Sequence, residues 1–245
     1  MNKLFQFSKN LVIISLRRPA DLRHVLGVAN ATTANIIDPA ADVRVFPAVS
    51  LEELAPGLRF TFELFSGAEA SITLQEAAAL AALMARSKAH RVFEFGTYKG
   101  VSTTQLALNL PPEGKLFTLD LPPDQMIGTL RTDKPAERSI AADPAKGTLI
   151  PQELRGKITF LKCDSAHFNV NPYLESMDLV FIDGAHSYEY VANDTAKGLA
   201  MLRRGGVIAW HDCAPNHRDV VRFLQMSGLN IQLVRGTALA FAFRN

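Results

Sequence analysis

Residues 91–104 read Arg-Val-Phe-Glu-Phe-Gly-Thr-Tyr-Lys-Gly-Val-Ser-Thr-Thr, an apolar run that breaks at two glycines and reopens on three hydroxyls. Arg91–Phe95 has the apolar density of a strand buried on both faces. Gly96 and Gly100 let the backbone turn tightly and leave room for a ligand to lie against it. Ser102, Thr103 and Thr104 supply caps and free amides at the start of a helix predicted over residues 102–109. A dinucleotide site carries the spacing G-x-G-x-x-G. Here the spacing is Gly96-x-x-x-Gly100, with Glu94 just before it. That carboxylate repels a pyrophosphate and suits a cationic ligand.

Upstream, Thr73 and Glu76 form a capping box, and an alanine- and leucine-rich helix is predicted over 74–89. Downstream, strands are predicted at 115–121, 157–163, 177–182 and 206–210. Helices are predicted at 188–203, with Tyr188, Val191, Thr195, Leu199 and Leu202 on one stripe, and at 219–226 up to Gly228. Runs at 230–234 and 238–243, joined through Gly236-Thr237, read as a hairpin. Apolar strands alternating with helices predict an α/β fold: an open, mostly parallel sheet covered on both faces. Ligands of such sheets sit at the carboxyl ends of the strands.

The chain has 245 residues and a formal net charge of +2, with 48% apolar and 20% charged residues. This length supports one large domain with an extension, and the composition excludes disorder and a disulfide scaffold. A near-neutral balance argues against a dedicated nucleic-acid binder. Two cysteines, Cys163 and Cys213, fit a reducing compartment and a cytoplasmic protein. No run approaches a membrane span, and the short Leu11–Leu16 patch is closed by Arg17 and Arg18. Residues 1–70 are read as an N-terminal extension, an assembly or substrate-cap element of a homo-oligomer, and 71–245 as the catalytic domain. Apolar patches at 43–49 and 58–65 predict short strands or helix pieces. The stretch Pro122–Gly156 is read as a lid or substrate wall, with Arg131, Lys134, Arg138 and Lys146 as a solvated basic face.

The predicted strand ends carry the chemistry. Asp120, at the end of the second strand, is placed to accept both hydroxyls of a ribose. Asp164, after the third, is placed for an adenine amino group. The fourth strand ends Phe181-Ile182-Asp183-Gly184-Ala185-His186-Ser187-Tyr188-Glu189 and the fifth Ile208-Ala209-Trp210-His211-Asp212-Cys213. Adjacent parallel strands bring Asp183, His186, His211 and Asp212 to one rim. Two carboxylates and an imidazole suit a divalent cation, and a second imidazole suits proton removal near neutral pH.

Together, residues 94–104, Asp120, Asp164, 183–189 and 205–212 resemble the class I S-adenosylmethionine-dependent methyltransferases. More narrowly, Asp-Gly-x-His-Ser-Tyr-Glu followed by a helix and Leu-x-x-Gly-Gly-Val-Ile-x-x-His-Asp resembles the O-methyltransferases of small molecules and sugars, a group that includes cephalosporin hydroxylase-like proteins. The resemblance covers about residues 73–243. It implies a Rossmann-like, seven-stranded sheet whose C-terminal hairpin inserts one antiparallel strand. It implies that Gly96, Thr97, Tyr98 and Gly100, with Glu94, Ser102 and Thr103, form the cofactor loop. Asp120 would take the ribose, and Asp164, Ser165 and Ala166 would face the adenine, with Asp183 between cofactor and acceptor. In metal-dependent relatives, acids at the positions of 183, 211 and 212 hold magnesium, and the position of His186 is the general base. Here position 211 is histidine. Magnesium prefers oxygen ligands, so this histidine weakens a magnesium assignment on Asp183, His211 and Asp212 and leaves open a softer divalent metal there, or a metal-free site with His211 as a second base.

The reading that follows is methyl transfer from S-adenosylmethionine to a hydroxyl of a small molecule. The activated sulfonium methyl leaves the protein mainly to align the acceptor and take its proton. A nicotinamide oxidoreductase on a related sheet and a non-catalytic cofactor-binding or assembly protein are the alternatives. The first is disfavoured by the missing middle glycine and by the absence of a Tyr-x-x-x-Lys pair.

Overall fold

The computed structural model describes residues 42–65, 71–122, 139–140 and 142–245. The Leu11–Leu16 patch and Arg131, Lys134 and Arg138 of the expected basic face lie outside the described residues.

Eight strands form one sheet: β1 (Ala48–Val49), β2 (Arg91–Phe95), β3 (Lys115–Asp120), β4 (Ile158–Lys162), β5 (Met177–Ile182), β6 (Leu202–Trp210), β7 (Gln232–Val234) and β8 (Ala240–Phe243). Their spatial order is β1-β7-β8-β6-β5-β2-β3-β4. Every neighbouring pair is parallel except the two made by β8, which runs against β6 and β7. The expected seven strands and reversed hairpin strand are present. The eighth, β1, comes from the segment read as an extension: the Leu233 amide donates to Pro47 O at 2.8 Å and the Arg235 amide to Val49 O at 2.8 Å. A two-residue edge strand leaves no periodicity to read in the sequence.

The sheet alternates its side chains between two apolar layers, as a period of two requires. Val92, Leu179, Phe181, Val207, Ala209 and Phe241 pack with the helices α2 (Leu74–Ser87) and α3 (Val101–Leu108). Phe93, Phe95, Val180, Ile182, Ile208 and Trp210 pack with α4 (Tyr188–Met201) and α5 (Arg218–Met226) on the other face. Phe181 and Trp210 are fully buried, and each such side chain contributes roughly 2 kcal/mol or more. A short helix, α1 (Leu51–Leu54), follows β1 behind a Ser50–Glu53 capping box.

Helix α4 shows where periodicity misleads. Its buried residues are Tyr190, Val191, Asp194, Thr195, Gly198 and Met201, a face rotated from the expected stripe. A buried aspartate and a glycine disguise that face. A Cβ at Gly198 would stand 3.0 Å from both Ile208 Cδ1 and Val180 Cγ1, so the missing side chain lets the helix settle on the sheet. The helix ends at Met201, and β6 begins at once. Pairing runs Met177 with Leu202 and then Leu179 with Val207, so residues 203–206 bulge. Arg203 spans the bulge to Asp178, which also accepts the His90 and Arg91 amides at 2.7 Å.

Candidate active site

The glycine loop lies where β2 and β5 end side by side. Gly96 takes φ +96°, and a Cβ there would stand 2.0 Å from the Asp183 carbonyl oxygen. No side chain fits, so the loop and the Asp183 strand end form one wall. Gly100 takes φ +93° and caps α3 without a side-chain bond to its amides. The Tyr98 amide donates to Asp120 Oδ2 at 2.8 Å, which fixes the loop against the end of β3.

Beneath the loop sits a polar brace. Glu94 is fully buried and accepts hydroxyl bonds from Ser102, Thr103 and Thr118, each at 2.6 Å. Burial pushes its carboxyl up to about 7 against the pull of those hydroxyls. Glu94, Ser102 and Thr103 were expected in the cofactor loop; their side chains face one another under it, because β2 turns Val92 and Glu94 toward α3. Thr97 Oγ1 adds a 2.6 Å bond to Thr118.

Of the two acids read for the nucleoside, Asp120 stands at the loop. Its Oδ1 pairs with Lys146 Nζ at 2.7 Å. Lys146, read as part of a solvated basic face, is thus a half-buried partner of the ribose candidate. The stretch around it docks on the loop: the Gly147 amide donates to Tyr98 O at 2.6 Å and the Leu149 amide to Lys99 O at 3.0 Å. Asp164 is buried and turned inward, accepting from the Ala166 amide at 2.9 Å and from the Tyr190 hydroxyl at 3.1 Å. The Ser165 and Ala166 carbonyls both accept from Lys197.

Asp183, His186, His211 and Asp212 do meet at one rim. His186 Nε2 lies 2.6 Å from Asp212 Oδ2. His211 Nδ1 lies 3.1 Å from Asp183 Oδ1 and 3.2 Å from Asp212 Oδ2. Asp212 holds φ +57°, which turns its carboxylate back between the two rings. Two further residues belong here that pattern reading had not assigned. Glu76 Oε2 lies 3.3 Å from His211 Nε2, and His217 Nε2 lies 3.3 Å from Asp212 Oδ1. The capping-box reading of Glu76 is correct, with Thr73 N donating to it at 2.8 Å, but the box also delivers a carboxylate to the rim. His217, five residues after Asp212, carried a faint signal as a second imidazole just past the fifth strand's end.

Three carboxylates around one ring decide its charge. Burial works against a charged His211, but Asp183 and Asp212 outweigh it and raise its pKa well above the ordinary value. Burial likewise lifts Glu76 and Asp212, yet His211 and other donors hold Glu76 at about 2 and Asp212 well below the carboxylate range. On Asp183, His211 and Asp212 the donors are two carboxylates and one imidazole, a set short of oxygen for magnesium and better suited to a softer divalent ion.

A mostly parallel sheet covered on both faces, with one reversed strand and a glycine loop at the strand ends, is the Rossmann-like architecture of class I methyltransferases. Residues 93–213, just under half of the chain, match the methyltransferase-domain family model. Catechol O-methyltransferase B of Danio rerio is 30% identical over 140 residues, covering 56% of this chain and 48% of that protein. The chain spans about half the length of the curated relatives it matches. Among solved structures, the Staphylococcus aureus protein described as a putative caffeoyl-CoA O-methyltransferase is 14% identical, with 71% of this chain and 85% of that chain covered and a TM-score of 0.50. TomG of Streptomyces achromogenes, an O-methyltransferase solved in complex with SAM, is 17% identical, with coverage of 73% and 83% and a TM-score of 0.48. Among the described residues no helix is long and apolar enough to cross a membrane.

Proposed function

We propose that the chain is an S-adenosylmethionine-dependent O-methyltransferase acting on a hydroxyl of a small molecule, with a sugar or glycoside as the candidate class. The observation that carries this reading is the 2.6 Å contact of His186 Nε2 with Asp212 Oδ2 on the wall shared with the glycine loop. When bound, the cofactor supplies a methyl group already activated on a sulfonium.

The chain's own residues supply the rest. Gly96, Thr97, Tyr98 and Gly100 shape the bed for the cofactor, and Asp120 takes its ribose hydroxyls once Lys146 moves aside. Glu94 and its three hydroxyl partners hold that bed rigid. His186 removes the acceptor's proton as the oxygen attacks, while Asp212 orients the ring and stabilises the imidazolium that forms. A positive charge on His211 keeps Asp183 and Asp212 together. The free thiols of Cys163 and Cys213 support a reducing compartment as the place of work.

The test is calorimetry with S-adenosylmethionine and with NAD, followed by transfer of labelled methyl to a panel of hydroxylated acceptors. Tight NAD binding with no affinity for S-adenosylmethionine overturns the reading. His186→Ala is expected to keep cofactor affinity and lose about 10²–10⁴ in turnover; unchanged turnover removes His186 as the base.

A further inference from the structure

His217 stands in the turn that opens α5, and it completes a second donor set that shares Asp212 with the first. Asp212 Oδ1 faces His217 Nε2 at 3.3 Å, while its Oδ2 faces His186 Nε2 at 2.6 Å and His211 Nδ1 at 3.2 Å. The two imidazole centroids are 4.6 Å apart and their planes meet at 60°. One donor atom from each of the three residues lies within 4.8 Å of the others.

We propose that His186, Asp212 and His217 form a binding site for a divalent transition metal, for which zinc is the model ion, and that occupancy of this site switches methyl transfer off. The binding claim stands on geometry alone; the switch rests on the reaction proposed above, because the proposed base is one of the ligands.

Two imidazole nitrogens and one carboxylate oxygen are a borderline-soft set that suits zinc, cobalt or nickel and not magnesium. An ion bonded at about 2.0–2.2 Å to each donor holds them roughly 3–3.5 Å apart. His217 at 3.3 Å lies inside that range and His186 at 2.6 Å is shorter; because the two rings face different Asp212 oxygens, rotation of the carboxylate and the rings is what brings one donor from each residue onto a common ion. The backbone is already set. Asp212 is locked by its left-handed conformation and by the next residue, whose amide donates to Ala238 O at 2.8 Å. The His217 amide donates to Ala214 O at 2.9 Å, and its carbonyl accepts from Val221 in the first turn of α5. The three side chains are 19–21% exposed, which keeps a coordination position open to water or to an acceptor oxygen. His211 is not one of the three donors: its Nε2 faces Glu76, and its Nδ1 lies between Asp183 Oδ1 and Asp212 Oδ2.

The experiment uses the full chain, stripped with a chelator and titrated with cobalt(II), zinc and magnesium. Cobalt is expected to bind one ion per chain with a visible absorption band, zinc to displace it, and magnesium to leave it unchanged. His217→Gln, checked for folding by circular dichroism, is expected to weaken cobalt affinity at least tenfold, and His186→Ala independently to do the same. No cobalt band at micromolar protein, or a band unaltered by both substitutions, overturns the site. In the transferase assay, zinc is expected to inhibit and the chelator to restore activity; activity unaffected by saturating zinc overturns the switch. Metal binding in a protein that never transfers methyl supports the site and overturns only the reaction.

Discussion

Glu76 Oε2 lies 3.3 Å from His211 Nε2, so a helix cap and a strand end share one buried ion pair. The Glu76 carboxyl is held at about 2, below its ordinary 4.5. A depressed acid contributes stability that is present above its unfolded value and lost as pH falls through its folded value. Glu76→Gln is therefore expected to destabilise the protein by about 3 kcal/mol at pH 7. The deficit should shrink as pH falls from 4.5 toward 2. Urea unfolding at several pH values checks this, and a pH-independent deficit contradicts it.

Glu94 predicts the opposite slope. Its carboxyl is raised to about 7, so the folded state holds a proton that the unfolded chain has lost. Stability contributed by that proton is complete below about pH 4.5 and disappears as pH rises through 7. Glu94→Gln is expected to remove this decline and to be more stable than the natural chain at pH 8 by about 1–3 kcal/mol. Comparing urea midpoints at pH 5 and pH 8 decides it.

His211→Asp creates, with Asp212, the pair of acids that the resemblance implies for a magnesium site. It also removes the cation between Asp183, Asp212 and Glu76, so carboxylates face one another without compensation. The variant is expected to lose about 3–5 kcal/mol in metal-free buffer. Millimolar magnesium should recover much of that loss, whereas the natural chain should show no magnesium-dependent shift in Tm. Thermal melts with and without magnesium measure both.

Lys146 Nζ occupies Asp120 Oδ1 at 2.7 Å, the carboxylate assigned to the ribose. Lys146→Met frees that oxygen and is expected to tighten S-adenosylmethionine binding about three- to tenfold, or up to about 1.4 kcal/mol. Calorimetry reads the change directly. Weaker binding would instead place Lys146 in contact with the cofactor.

The alternation of apolar strands with helices was legible from residue 73 onward because burial imposes periods of 2 and 3.6 on the chain. For the same reason the meeting of Asp183, His186, His211 and Asp212 could be foreseen: parallel strands of similar length end together. Helix α4 escaped that logic, since Asp194 and Gly198 sit on its buried face, and β1 was too short to show a period.

By itself, then, the sequence determined the sheet, its reversed hairpin strand and the rim of charged residues, all consequences of local pattern and strand order. Tertiary structure alone decided what those charges do. Glu76 and His217 reach the rim from helices 135 residues or more and five residues from His211 and Asp212 in the chain. Glu94 faces inward to three hydroxyls, and Lys146 folds back onto Asp120. Charge state follows from how many carboxylates surround a ring and how little water reaches it, and no linear spacing encodes that count.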